Sequence, residues 1–112
     1  MTEPVIDKLV FDEIADLMGD SLGEFIDTYL GNSPKLIDGI NAALPAGDTD
    51  TVIHNAHQLK GGSGSIGAMQ VFQCAKRLEE EAKDSNANEL ADVLSNLNDA
   101  YAQAETELRS YL

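Results

Sequence analysis

The chain has 112 residues, enough for one domain, and lacks Trp, so Leu, Ile, Val and Ala must build its core. Acidic residues outnumber basic ones by 20 to 7, and the formal charge of −13 argues against nucleic-acid and anionic membrane partners. The lone Cys74 forms no intramolecular disulfide, and the N-terminus lacks the basic start and unbroken apolar run of a signal peptide, so a cytoplasmic location is expected.

Apolar residues recur at helical spacing almost throughout. Ile6, Leu9, Val10, Ile14 and Leu17 predict a first short helix closed near Gly19. Leu22, Phe25, Ile26, Tyr29 and Leu30 predict a second, with Ser21 or Asp20 as its cap. Leu36, Ile37, Ile40 and Leu44 carry that pattern past Pro34, which either kinks a continuous helix or opens a new one capped by Ser33; the kink is favoured.

Pro45 to Asp48 reads as a turn, with Asp48 the N-cap of a helix running to about Gly64. Another helix is expected from Ala68 to about Lys83, with Val71, Ala75, Leu78 and Ala82 on one face. A turn over 84–88 leads to a last helix carrying Leu90, Val93, Leu94, Leu97, Tyr101, Ala104, Leu108 and Tyr111. No stretch alternates with period two, so no sheet is expected. Short turns between long amphipathic segments imply an all-α, up-and-down antiparallel four-helix bundle with an additional short N-terminal helix. Residues 1–112 are read as a single monomeric domain, and the start Met and compact ends as those of a free-standing protein.

One segment carries chemistry. Gly61, Gly62 and Gly64 lie inside an expected helix, each at a cost of about 0.5–1 kcal/mol relative to Ala. At about 100° per residue, Val52, Ala56, Leu59, Ser63 and Ile66 share one side, the core stripe. His57 falls nearly opposite, at the solvent face, and Lys60, Gly61 and Gly64 share its strip at i+3, i+4 and i+7. An exposed imidazole beside an ammonium, above bare backbone, suits a phosphoryl-accepting histidine. A donor must approach one ring nitrogen in line, Gly61 and Gly64 remove bulk from its path, and Lys60 offers charge to the phosphoryl oxygens.

Ala56, His57, Leu59, Lys60, Gly61, Ser63, Ile66 and Gly67 match the pattern A-H-x-L-K-G-x-[SA]-x-x-[LIF]-G, and the segment resembles the histidine-containing phosphotransfer (HPt) family. The flanking helix pattern extends the resemblance over nearly the whole chain. It implies a helical bundle that moves phosphoryl groups between Asp residues of receiver domains, in response regulators and hybrid sensor kinases, or onward from a sensor kinase. By that likeness His57 is phosphorylated, on the outer Nε2, Lys60 is its electrostatic partner and Gly61 permits close docking. No cofactor is implied for the chain itself; Mg2+ is expected on the partner receiver. Some family members place a Gln donor on the following helix where this chain has Glu79. An ionised Glu cannot donate, so either it turns away or Lys60 acts without that help.

The remaining polar residues read more plainly. Glu79-Glu80-Glu81 is expected to be a solvated helix face with Lys83 as the i+4 partner of Glu79. Lys76 and Arg77 are expected in surface salt bridges, and Cys74 as a buried small residue. Ile53, His54 and Gln58 are candidate partner contacts, although Ile53 is equally open to shielding by the first helix. No G-x-x-x-x-G-K-[ST] loop is present, so the chain reads as a phosphocarrier rather than an enzyme with an ATP site. Two alternatives stand beside it: a non-catalytic bundle that binds a receiver or kinase, and a metal-binding bundle through Asp50, His54 and His57.

Overall fold

In the computed structural model, residues 3–84 and 87–112 are described, the latter without the side chains of 87 and 88. Helix α1 spans Lys8–Met18, a 3-10 turn Gly19–Ser21 follows, and then come α2 (Leu22–Ala46), α3 (Thr49–Ile66), α4 (Met69–Lys83) and α5 (Ala87–Arg109). Among the described residues there is no strand. Sequential helices pack on one another from α2 to α5, α5 closes against α2, and α1 lies across α2 and α3. The result is the expected helical bundle with its short N-terminal addition.

Several local expectations change. Ser21 does not cap α2: it is helical itself and makes no side-chain cap hydrogen bond, because the 3-10 turn already feeds its backbone bonding into Leu22. The second helix runs unbroken through Pro34, in line with the favoured reading of one continuous helix, and the alternative start capped by Ser33 falls away. Ser33 is instead buried and hydrogen-bonded to the Tyr29 hydroxyl, which also pairs with buried Ser63 at 2.7 Å. Burial pushes the Tyr29 phenol up to about 12, against the opposing pull of those two serines.

In α1 the buried residue is Phe11, whereas Leu9 and Leu17 are exposed. The short helix packs through the side that meets the α3–α4 turn. Tyr111 lies past the end of α5, with its ring 4.5 Å from that of Phe11. Of the turn expected over 84–88, Ser85 and Asn86 lie outside the described residues, and Ala87 and Asn88 already belong to α5.

Asp48 caps α3 as expected, its carboxylate accepting from the Thr51 amide at 3.2 Å. The helix then continues to Ile66 rather than stopping near Gly64. Magnitudes explain why. The three glycines cost about 1.5–3 kcal/mol in all. Burying Leu59 and Ile66 completely returns roughly 1.5–3 kcal/mol each, with Val52 and Ala56 besides. The helix ends where Gly67 turns left-handed, at φ +84°. There the Asp7 amide donates to the Gly67 carbonyl at 2.8 Å, which ties the start of α1 to the α3–α4 turn.

Candidate functional site

The five-residue stripe of α3 is buried as the helical period requires: Val52, Ala56, Leu59, Ser63 and Ile66 are all in the core. His57 therefore stands on the outer face, with 66% of its side chain exposed. Gly61 is exposed and a Cβ there would meet nothing within 4 Å, so the backbone one turn from His57 is open to an approaching surface. Gly64 is different. A Cβ at that position would lie 3.1 Å from the Phe72 ring, so its missing side chain also serves the packing of α3 on α4.

Of the acidic run on α4, Glu80 is exposed as expected, but Glu79 departs from a solvated face. Glu79 is buried, with 5% of its side chain exposed, and it turns toward α3 rather than away. Its Oε2 accepts from His57 Nδ1 at 3.0 Å and from Lys83 Nζ at 3.1 Å. Lys60 Nζ forms an ion pair with the other oxygen, Oε1, at 2.8 Å. A buried carboxylate is tolerated only when its charge is met, and here two ammonium groups and an imidazole N–H meet it. Burial pushes the Glu79 carboxyl up, but Lys60, Lys83 and the His57 hydrogen bond outweigh it and hold the group down at about 2.

This arrangement has a chemical consequence for the ring. A carboxylate accepts only, so Nδ1 must carry the proton, and in the neutral imidazole the lone pair then sits on Nε2. The free nitrogen is the one away from Glu79, on a ring that is two-thirds exposed. Lys60, expected as a free cation on the His57 strip, is instead partly buried and engaged by Glu79 in the resting protein.

Around this cluster lies a shallow depression lined by Asp50, Ile53, His54, His57, Glu79 and Lys83. Ile53 is half buried, whereas His54 and Gln58 are exposed, with the Gln58 amide donating to His54 Nε2 at 3.0 Å. Asp50, His54 and His57 thus border one surface, but among the described residues no three His, Cys, Asp or Glu groups are disposed to hold a metal ion. On the far side of α4, Arg77 pairs with Glu81 and Glu89, as surface salt bridges were expected to do, and Cys74 is buried.

Sequence reasoning brought Glu79 near the phosphohistidine through the family's Gln but read it as part of a solvated face, and did not foresee its burial or its contact with His57. A signal was available, since Glu79 follows Ala75 by four residues and precedes Ala82 by three, at the border of the apolar stripe of α4.

No helix among the described residues is long and apolar enough to cross a membrane. A comparison with curated proteins finds no match. Among solved structures, the chain is similar to histidine-containing phosphotransfer protein B (HptB) from Pseudomonas aeruginosa. It is 27% identical, with a TM-score of 0.92 over 96% of this chain and 94% of that one. The histidine-containing phosphotransfer protein ZmHP2 from maize is 22% identical, with a TM-score of 0.84 over 95% of this chain and 81% of its own, a likeness of fold alone. The Hpt domain family matches residues 24–107, a span that holds α3, α4, the whole His57 cluster and most of α2 and α5. With fold, span and an exposed histidine in agreement, the chain belongs to the Hpt domain family, the phosphocarriers of two-component phosphorelays.

Proposed function

We propose that His57 is the residue that takes and returns the phosphoryl group, through Nε2. The observation that carries this reading is the Nδ1 hydrogen bond to buried Glu79, which leaves the exposed nitrogen as the nucleophile. In the step, the Nε2 lone pair attacks the phosphorus of a receiver aspartyl phosphate. An N–P bond forms, the P–O bond to the Asp breaks, and the Asp leaves as carboxylate. The ring becomes a phosphoimidazolium that keeps its Nδ1 proton, and the Glu79 carboxylate faces that new positive charge at 3.0 Å. Reversal onto a second receiver Asp completes the relay.

Lys60 supplies charge to the phosphoryl oxygens, and open backbone at Gly61 admits the partner's loop. Ile53, His54 and Gln58 border the docking surface. The chain is read as a single monomeric domain that works in the cytoplasm with receiver domains of response regulators and hybrid sensor kinases. It has no ATP site of its own, and Mg2+ belongs to the receiver. The experiment that tests this is transfer of labelled phosphoryl from a phosphorylated receiver. The label is expected to be acid-labile, base-stable and absent from His57→Gln, with none acquired from ATP alone.

A further inference from the structure

We infer that Tyr29, in the core on α2, is a positioning residue for receiver recognition: it holds the glycine turn of α3 helical from behind and so keeps the docking strip beyond His57 in shape. This rests on the reading of His57 as the phosphorylated residue and adds to it a residue that no partner touches.

The turn that follows His57 is weak by itself. Gly61, Gly62 and Gly64 lower its helical preference. The Ser65 hydroxyl donates to the Gly61 carbonyl at 3.0 Å, which competes with the backbone ladder. Between Leu59 and Ile66 only Ser63 is buried, so it alone can tie this turn to the core through a side chain. Tyr29 meets the turn at two places. Its hydroxyl pairs with Ser63 Oγ at 2.7 Å. Its ring carbons lie 3.7 and 3.8 Å from where a Cβ of Gly62 would stand. On the other flank the Phe72 ring of α4 occupies the space over Gly64. The turn is thus bare toward a visitor at Gly61 and gripped from behind by rings of two neighbouring helices.

Both Tyr29 and Ser63 are buried, so neither hydroxyl can exchange its partner for bulk water. Without the phenol oxygen the glycine turn loses its side-chain hydrogen bond to α2 and opens more often. His57 itself is held one turn earlier, by buried Ala56 and Leu59 and by the Glu79 carboxylate. A loosened turn therefore leaves the reacting ring in place and disturbs only the surface that a receiver meets. The effect falls on recognition rather than on the transfer step.

The test uses Tyr29→Phe in the full chain, which keeps the ring on Gly62 and removes the hydroxyl. Amide hydrogen exchange is expected to quicken roughly fivefold at Gly62 and Gly64 and to stay unchanged at Leu97, in the core of α5. In phosphoryl transfer from a receiver, KM should rise about threefold while kcat stays within about twofold of the parent. Gly62→Ala strengthens the helix, and its Cβ would be in ordinary contact with the Tyr29 ring. The double variant Tyr29→Phe with Gly62→Ala should therefore recover the KM of the parent. The inference is overturned if exchange at Gly62 and Gly64 is unchanged, or if it quickens equally at Leu97, the mark of a purely structural role. A fall in kcat at constant KM, or a double variant no better than Tyr29→Phe, overturns it as well. His57→Gln separates the two layers: label on that variant defeats the reading of the site itself. An unlabelled His57→Gln beside a Tyr29→Phe that behaves like the parent defeats only the role of Tyr29.

Discussion

His57 and Glu79 lie 22 residues apart on neighbouring helices, and the buried carboxylate of one accepts from the exposed ring of the other at 3.0 Å. The ring is thereby fixed in both orientation and tautomer. Glu79→Ala removes that anchor, and the initial rate of phosphoryl transfer from a receiver should fall roughly tenfold, with His57 still the labelled residue. An unchanged initial rate would show that the ring needs no such support.

The same carboxylate makes stability depend on acid. Its ionisation is held down at about 2 from an ordinary 4.5, so the folded state binds its proton less readily than the unfolded chain. The resulting stabilisation is complete above pH 4.5 and disappears as pH falls through about 2. It amounts to roughly 3 kcal/mol at most. Urea midpoints followed from pH 6 down to pH 2 should therefore drop more steeply for the parent chain than for Glu79→Gln. Other carboxylates titrate in both proteins and cancel. Parallel curves would contradict the coupling.

Two glycines of α3 and its end should respond in opposite directions. A Cβ at Gly61 meets nothing, so Gly61→Ala is expected to stabilise the fold by up to about 1 kcal/mol while slowing transfer by crowding the approach to His57. Gly67 has φ +84°, and a Cβ there would press on the Asp7 carbonyl oxygen at 3.2 Å and the Phe11 amide at 3.3 Å. Gly67→Ala should destabilise by about 1–2 kcal/mol and loosen α1 from the bundle. Thermal unfolding beside transfer rates checks both; a stabilised Gly61→Ala with undiminished transfer would remove the docking role.

Partner binding should be weak and modestly dependent on salt. The chain carries a charge of −13, and receivers are themselves acidic at their phosphorylation sites, so long-range attraction is absent. With a Debye length of ~8 Å at physiological salt, docking is expected to rest on a small patch around Ile53 and His57, which line one depression. Micromolar affinity by calorimetry is expected. Nanomolar affinity that collapses with added salt would mean an electrostatic interface instead.

The parts legible in the sequence are those that one helix decides alone. The 3.6-residue period sufficed to place Val52, Ala56, Leu59, Ser63 and Ile66 inside and His57 outside, and Asp48 announced the start of α3. What stayed hidden depends on how helices turn against each other. Glu79 sits in an acidic triplet that a single helix would solvate, and only the packing of α4 on α3 brings it under His57 and Lys60. Likewise, the sequence offered Ser33 only as a cap in the less favoured reading of a new helix at Pro34, and its role as a buried hydrogen-bond partner of the Tyr29 hydroxyl shows only in the packed bundle. Leu9 and Leu17 matched the helical period of α1, yet that helix packs through Phe11.

The most direct measurement is to phosphorylate a receiver with labelled phosphoryl, mix it with the parent chain and with His57→Gln, and locate the label. The account predicts rapid appearance of an acid-labile, base-stable label on the parent chain, mapped to His57 by peptide sequencing, and none on the variant. Label of equal amount on His57→Gln would contradict it.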